Sequence, residues 1–185
     1  MRSPARRTVV PTAAGLTGLV AAALLLPTGT AAAHPHPTSE AEDPAGWVET
    51  ARLTGYSLQD NSPAGTRTTS SGRTAGGTGT FRDPITLAVG YEDGDEFEVG
   101  TVFYVPLVRA YFVVEDRCGA CSEWTAEGEY TIDLWVGSDA DSSCMYAITG
   151  AHTVVREAGP GWAVDSRPYE LGSDCTLYGE TPTPA

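Results

Sequence analysis

The stretch TIDLWVG, residues 131–137, is the segment that decides the fold class of this chain. Apolar and β-branched side chains fill it, except for the carboxylate of Asp133 between Ile132 and Leu134. Such residues favour strands, and a short apolar run followed by turn residues is typical of a strand buried in a sheet. The segment therefore predicts a core strand that carries an acid.

Segments of the same kind lie on both sides of this strand. They predict six or seven short strands, at residues 48–54, 85–89, 101–105, 111–114, 130–136 and 153–155, with 162–164 as the candidate seventh. No window of a dozen residues has the period of an amphipathic helix, and at most one helical turn is expected near residues 138–142. Many short strands with almost no helix predict an all-β fold, either a closed barrel or a sandwich.

The N-terminal region has the pattern of a secretory signal peptide. Three arginines precede an apolar run at residues 16–26, and three alanines at 31–33 suit a signal peptidase. The apolar run is shorter than the about 20 residues that cross a bilayer. We therefore expect a secreted, extracellular protein with no membrane contact after cleavage of residues 1–33. The pair Arg6-Arg7 leaves both Sec and twin-arginine export open.

The rest of the chain divides into three parts. Residues 34–46 are expected to form a flexible N terminus, residues 47–179 a single domain, and residues 180–185 a disordered tail. Cleavage after residue 33 would place His34 at the mature N terminus, and the sequence leaves open whether it binds a metal. We expect no metal site and no cofactor in the domain.

The charge of the chain is strongly acidic. All 24 Asp and Glu residues follow residue 33, whereas three of the 11 arginines precede it, so signal removal changes the formal charge from −13 to −16. A nucleic-acid partner is not expected, because phosphate binding needs a basic face. The acidity fits a neutral or cationic partner, such as a neutral polysaccharide. It fits equally well a charge whose only role is to keep an extracellular protein soluble. We expect a monomer.

Four cysteines, Cys118, Cys121, Cys144 and Cys175, are expected to form two structural disulfides in an exported protein. The sequence leaves the three alternative pairings open. The spacing of Cys118 and Cys121 also occurs in redox pairs and in half of a zinc site. A zinc site needs a second pair at similar spacing and a redox site a following helix, and the sequence favours neither.

A long loop and three aspartates are the remaining candidates for function. Residues 60–80 form a Gly/Ser/Thr stretch that is either a functional loop or a plain insertion. Asp83, Asp116 and Asp133 stand in or beside predicted strands, where burial of a carboxylate is costly unless it is paired or neutral. If Asp116 and Asp133 converge, one can stay protonated while the other is ionised, as glycoside cleavage requires.

The order of several sequence blocks resembles the double-psi β-barrel proteins. The blocks are GY at 55–56, DP at 83–84, VGTVFYV at 99–105, YFVVED at 111–116 and IDLWVG at 132–137. They are most similar to the 3D domain, called after three aspartates, of A-type membrane-bound lytic transglycosylases and of bacterial cell-wall proteins. Expansins, family-45 endoglucanases and rare lipoprotein A share that barrel. The chain also resembles secreted proteins of fungi and actinobacteria with AGGTGT, DPIT, VEDxCxxC and IDLWV blocks.

The resemblance, over about residues 50–140, implies a small six-stranded double-psi β-barrel with disulfide-stapled extensions. It also implies a catalytic role for three acids. Asp133 matches the acid/base of the lytic transglycosylases and would protonate the leaving glycosidic oxygen. Asp116 would orient Asp133 or tune its pKa, and Asp83 matches the first aspartate of the set.

Three further residues are candidates for substrate binding. Asp60 would form part of the site wall, and the rings of Tyr56 and Trp135 would stack on sugars. The chain departs from the relatives at residues 117–124, RCGACSEW, where they have a Gly-rich segment. We also expect no second domain that would shape a glycan groove. The expected function is therefore either cleavage of cell-wall glycan, as a glycoside hydrolase or lytic transglycosylase, or non-catalytic binding of polysaccharide or peptidoglycan by an expansin-like or effector-like module.

Overall fold

The computed structural model describes residues 44–91, 97–124, 130–137, 142–165 and 176–185, with the backbone alone at 123, 124 and 142. Six strands form a closed barrel, as the sequence predicts for an all-β fold. A single short helix, α1, is the only α-helix among these residues. The elements are β1 Trp47–Ser57, β2 Ile85–Val89, β3 Val102–Val105, β4 Ala110–Arg117, β5 Thr131–Gly137, α1 Ser142–Ile148 and β6 Gly150–Arg156.

The strands do not follow one another around the barrel in chain order. The order is β1-β5-β2-β4-β3-β6, and β6 returns to pair with β1. The pairs β1–β5 and β2–β4 are parallel, and the other four are antiparallel. Exchanging β1 with β4, β2 with β5 and β3 with β6 leaves the order and every pairing sense unchanged. The barrel therefore consists of two interlocked, equivalent halves of three strands each.

The barrel interior is filled by the side chains that the strand patterns predict. Strand β2 is buried along its whole length. Strand β5 is buried except at Asp133, which is half-buried. Leu53, Leu87 and Leu134 are fully buried in the same core cluster. Full burial of one such side chain contributes about 1.5–3 kcal/mol. This core fixes β5, and with it the position of Asp133.

The one helix lies just beyond the place that the sequence predicts. The expected turn at residues 138–142 falls largely outside the described residues, and α1 spans Ser142–Ile148. Ile148 of α1 is buried in the main core and Tyr146 is exposed. Seven residues are too few for the periodic pattern that makes a helix visible in sequence. The candidate seventh strand at 162–164 is reduced to a single bridge between Trp162 and Pro184.

The C-terminal residues, predicted as a disordered tail, are instead hydrogen-bonded to the barrel domain. Ala163 N–H donates to Thr183 O at 2.8 Å, and Ala185 N–H donates to Gly161 O at 2.7 Å. The carboxylate of Glu180 accepts a hydrogen bond from Thr153 N–H at 2.6 Å. The polar, proline-rich composition of this segment gave no sign of these contacts, because they depend on backbone groups of distant residues.

The segment between β1 and β2, residues 58–84, is called here the β1–β2 loop. It folds back on itself through a bridge between Thr68 and Thr74, and it buries Ala75 completely. Thr86 N–H of β2 donates to Gly76 O at 2.8 Å, which joins the loop to the barrel. The loop is therefore a packed part of the domain.

Substitution of Gly77 by alanine should destabilise the fold far more than substitution of Gly72. Both glycines have a positive φ, +125° at Gly77 and +80° at Gly72, but a Cβ at Gly77 would collide with the carbonyl of Pro84 and one at Gly72 would meet no atom within 4 Å. Gly72→Ala should cost about 1–2 kcal/mol, and Gly77→Ala about 3 kcal/mol or more. Urea denaturation measures both, and equal losses would contradict the packing described for the loop.

Candidate functional site

One row of paired residues across four strands builds the site. Thr54 of β1 pairs with Asp133 of β5, Asp133 pairs with Ala88 of β2, and Ala88 pairs with Asp116 of β4. Directly opposite residues share a face of a sheet. Asp116 and Asp133 are therefore separated by two strand spacings, about 10 Å between their backbones. The small side chain of Ala88 between them leaves room above the row.

The carboxyl of Asp133 is the most perturbed acid of the row. It is half-buried, and Thr54 Oγ1–H donates to its Oδ1 at 2.6 Å. Burial raises the pKa of Asp133 from its usual 3.8 to about 6; the Thr54 hydrogen bond opposes the rise, and the negative charges of Asp60 and Asp116 add to it. An acid with such a pKa exchanges its proton near neutral pH.

Asp116 has a different environment, because protein donors surround it. The residue is only 5% exposed. Oδ1 accepts hydrogen bonds from the backbone N–H groups of Ser70 and Arg117, each at 2.8 Å, and Oδ2 accepts one from the phenol of Tyr56 at 3.3 Å. These three donors offset the cost of burying the carboxylate. Asp116 thus ties the β1–β2 loop, through Ser70, to β4.

Asp60 provides a third carboxylate at the end of β1. Its Oδ2 accepts hydrogen bonds from the backbone N–H of Ser57 at 3.0 Å and from the Ser57 hydroxyl at 2.7 Å. Next to it, the amide of Asn61 donates to Thr66 O at 2.9 Å and to Thr68 O at 3.3 Å. These bonds fix the start of the loop, so that Asp60 keeps its place relative to Asp133.

All three carboxylates line one open cavity of about 590 Å³. The β1–β2 loop forms one wall of it and the barrel row forms its base. Tyr56, Ser70, Tyr91 and Arg117 also line the cavity. Burial, together with the charges of Asp116 and Asp133, raises the pKa of the Tyr56 phenol above its usual range, so it remains a hydrogen-bond donor.

Cys118, which forms a disulfide with Cys121, belongs to the next part of the wall. Both sulfurs and a carboxylate oxygen of Asp133 lie within 4.8 Å of one another. Among the described residues this is the one group of cysteine and acid side chains close enough to hold a metal ion, with the sulfurs here joined to each other. Cys144 is also disulfide-bonded, and Cys175 lies outside the described residues.

Two predicted site residues are not brought to this cavity. Asp83 lines a separate cavity of about 350 Å³, where its Oδ2 accepts a hydrogen bond from Thr78 N–H at 3.0 Å. Trp135 is only 4% exposed, and its ring meets the ring of Tyr56 edge-on with centroids 5.2 Å apart. A ring buried in this way supports the base of the cavity and has no face open for stacking on a sugar. Tyr56 is 6% exposed and lines the cavity, where its hydroxyl donates to Asp116.

Sequence reasoning missed three residues of the site. Thr54, Ser70 and Ala88 contact or separate the acids, although each is an ordinary residue in its own segment. The alternation of β1 placed Thr54 on one face of a strand, and this was the only signal for it. Strand register decided the rest.

The fold and the site together define a class: a closed six-stranded β-barrel with an acidic cavity at one row of strand pairs. The chain matches the family described as the DDB_G0273701 N-terminal domain over residues 48–176, and it belongs to that family. An uncharacterized Dictyostelium discoideum protein of the same designation is 33% identical over 111 residues, which cover 56% of this chain and 48% of that protein. The chain thus spans about half the length of this curated relative. No solved structure matches the chain.

Within the described segments, no helix has both the length and the apolar character needed to cross a bilayer.

Replacement of Thr54 by valine should raise the pKa of Asp133 above 6. The Thr54 hydroxyl donates to the Asp133 carboxylate, and a hydrogen bond to a charged group is worth about 1.5–3 kcal/mol, so the pKa should rise by about one unit or more. NMR titration of the Asp133 carboxyl carbon measures it. Thr50→Val, at an exposed position of the same strand, is the matched control and should leave the titration unchanged. Equal pKa values of Asp133 in the two variants would contradict the role given to the Thr54 hydrogen bond.

Replacement of Asp133 by asparagine should stabilise the protein at neutral pH relative to acidic pH. The pKa of Asp133 is higher in the folded state, at about 6, than its usual 3.8. The contribution of Asp133 to the free energy of unfolding is therefore fully present below about pH 4. It is lost as the pH rises through 6, by up to about 3 kcal/mol. The difference in unfolding free energy, asparagine variant minus wild type, should increase by that amount between pH 3.5 and 7.5. An unchanged difference would show that Asp133 titrates normally.

Proposed function

We propose that this chain is a secreted, glycan-directed protein in which Asp133 acts as the acid that cleaves a glycosidic bond. The observation that carries the proposal is that Asp133, with its pKa raised to about 6, lines one open cavity with two further carboxylates. Pairs of acids held in different environments are typical of sites that cleave glycosides. The partner would be a polysaccharide or peptidoglycan.

The barrel topology supports the same proposal. The exchange symmetry of the two three-strand halves agrees with the double-psi barrel that the sequence blocks resemble. The acidic blocks of that resemblance at Asp116 and Asp133 lie in β4 and β5, on either side of Ala88 of β2. Asp133 then matches the acid/base of the lytic transglycosylases both in its block and in its chemistry.

The three acids would have distinct roles in the reaction. Protonated Asp133 donates its proton to the leaving glycosidic oxygen as the bond to the anomeric carbon breaks. Asp116, held by Ser70 and Tyr56, raises the pKa of Asp133 through its charge and positions the loop wall. Asp60 faces the same cavity and interacts with Asp133 through its charge, which suits stabilisation of positive charge on the sugar in the transition state.

The expected export of the chain and its negative charge agree with an extracellular glycan as partner. The N-terminal 33 residues have the pattern of an export signal, and the remaining chain has a formal charge of −16 by the distribution of its acids and arginines. A neutral polysaccharide is not repelled electrostatically by such a surface. The cavity, at about 590 Å³, is of the size found in small-ligand sites.

A non-catalytic polysaccharide-binding module, of expansin or effector type, is the second candidate. It is favoured by the protein donors that already bind two of the three acids. Such donors occupy both oxygens of Asp116, and Ser57 occupies Oδ2 of Asp60. An enzyme that needs Asp116 as a second, free carboxylate would have to release one of these bonds.

Asp133→Asn should abolish release of soluble sugars from the substrate that the wild type cleaves. The asparagine amide cannot donate the proton, and loss of a general acid costs about 100-fold or more. The measurement is product release from peptidoglycan, chitin and β-glucans, followed by mass spectrometry. Wild-type turnover should fall as the pH rises through about 6, because Asp133 then loses its proton.

Two controls separate the candidates. Asp83→Asn removes a carboxylate from the separate cavity and should leave turnover unchanged. Ala88→Leu fills the space between Asp116 and Asp133 and should abolish turnover and binding together. Retention on insoluble polysaccharide without any turnover would support the binding module. The absence of both retention and turnover would refute the glycan-directed proposal.

A further inference from the structure

The Cys118–Cys121 disulfide lies beside Asp133, and the glycan cleavage proposed above makes no use of it. Cys118 and the two residues after it line the acidic cavity, so the bridge is reached from the same opening as the acids. Both sulfurs lie within 4.8 Å of a carboxylate oxygen of Asp133. A dithiol pair with an acid at its side has the components of a site for thiol–disulfide exchange.

The bridge adds little to the stability of the fold. Its cysteines are three positions apart, and in the chain-entropy model a disulfide that closes so short a loop gains the least. The backbone at this point is already fixed, because Cys118 N–H donates to Val89 O of β2 at 2.8 Å. Opening the bridge therefore leaves the barrel pairing intact.

The two sulfurs differ in access. Cys118 is half-buried and lines the cavity, whereas Cys121 is 2% exposed. The backbone N–H of Cys121 donates to Cys118 Sγ at 3.1 Å. Such a donor stabilises a thiolate on Cys118 when the bridge is open. An incoming thiolate thus meets Cys118 first, and Cys121 is the leaving group.

We propose that Cys118 and Cys121 form a redox-active pair that exchanges with dithiols of other extracellular molecules, with Asp133 as the proton donor to Cys121. A thiolate of the dithiol attacks Cys118 Sγ, a mixed disulfide forms, and the electron pair of the broken S–S bond goes to Cys121 Sγ. Asp133 gives its proton to that thiolate. The second thiolate of the dithiol then displaces Cys118, so the dithiol is oxidised by two electrons and the pair is reduced.

Charges around Asp133 suit this transfer. Asp60 faces it from the β1–β2 loop, Asp116 from β4 and the phenol of Tyr56 from β1. Burial and the two acids hold the pKa of Asp133 at about 6, so that it donates a proton below that pH and accepts one above it. In the reverse reaction the Cys118 thiolate attacks a partner's disulfide and forms the mixed disulfide. The Asp133 carboxylate then takes the proton from the Cys121 thiol, and the Cys121 thiolate displaces the partner from Cys118 Sγ, so the partner's disulfide is reduced to a dithiol and the pair is oxidised.

The first test measures which disulfide opens. The full chain is treated with limiting dithiothreitol, and free thiols are alkylated and assigned by mass spectrometry. The Cys118–Cys121 bridge should open at least about tenfold faster than the disulfide of Cys144, because access controls exchange. When treated with oxidised glutathione, Cys121→Ser should keep one glutathionyl group on Cys118 as a mixed disulfide, with the other half released as glutathione. The reduced wild type should release that glutathionyl group as well, because Cys121 displaces it. Equal opening of both disulfides would overturn the proposal.

The second test measures the role of Asp133. The wild-type rate of opening, divided by the thiolate concentration of the probe, should fall as the pH rises through about 6. Asp133→Asn should lower this rate at pH 5 by about tenfold or more and remove the fall. Thr54→Val keeps the carboxyl of Asp133 but raises its pKa. This variant should move the decrease in the opening rate to higher pH. Glu98→Gln, outside the cavity, is the control and should leave the profile unchanged.

A pH profile that is identical in wild type, Asp133→Asn and Thr54→Val would show that Asp133 does not supply the proton. None of these measurements contains a polysaccharide. Inactivity on every glycan therefore leaves the exchange proposal standing, and failure of exchange leaves the glycan proposal to its own assay.

Discussion

The pairing of β2 between β4 and β5 is the constraint on which the site depends. Because β2 is parallel to β4 and antiparallel to β5, Ala88 is the common neighbour of Asp116 and Asp133. A change of one residue in either register would turn one acid to the other face of the sheet. The fully buried side chains of β2 and the buried neighbours of Asp133 in β5 hold that register.

The site concentrates negative charge that the fold must compensate. Asp116 is compensated by three hydrogen-bond donors, of which Ser70 comes from a loop 46 residues away in sequence. Asp133 has the hydroxyl of Thr54, and burial shifts its equilibrium toward the neutral acid. The two acids of one row thus differ through the donors around them, which is how neighbouring carboxyls come to serve different chemistry.

The β1–β2 loop and the disulfide close the cavity from different sides. The loop is held by Asn61 and by its junction with β2, and the disulfide follows directly from the end of β4. Both walls meet Asp133, so glycan chemistry and thiol exchange would share one proton donor in one cavity. The raised pKa leaves Asp133 protonated below about pH 6, and ionisation of this group above that pH costs folding stability.

The sequence by itself determined the all-β class, six strand positions and the presence of acids in β4 and β5, because alternation and β-branched composition are local properties. It also marked Cys118 and Cys121 by their spacing. Only the tertiary structure decided that Asp83 and Trp135 lie outside the acidic cavity, that residues 180–185 are bound, and that Thr54, Ser70 and Ala88 belong to the site. These facts depend on strand register and on contacts between residues far apart in the chain, which no local pattern of side chains encodes.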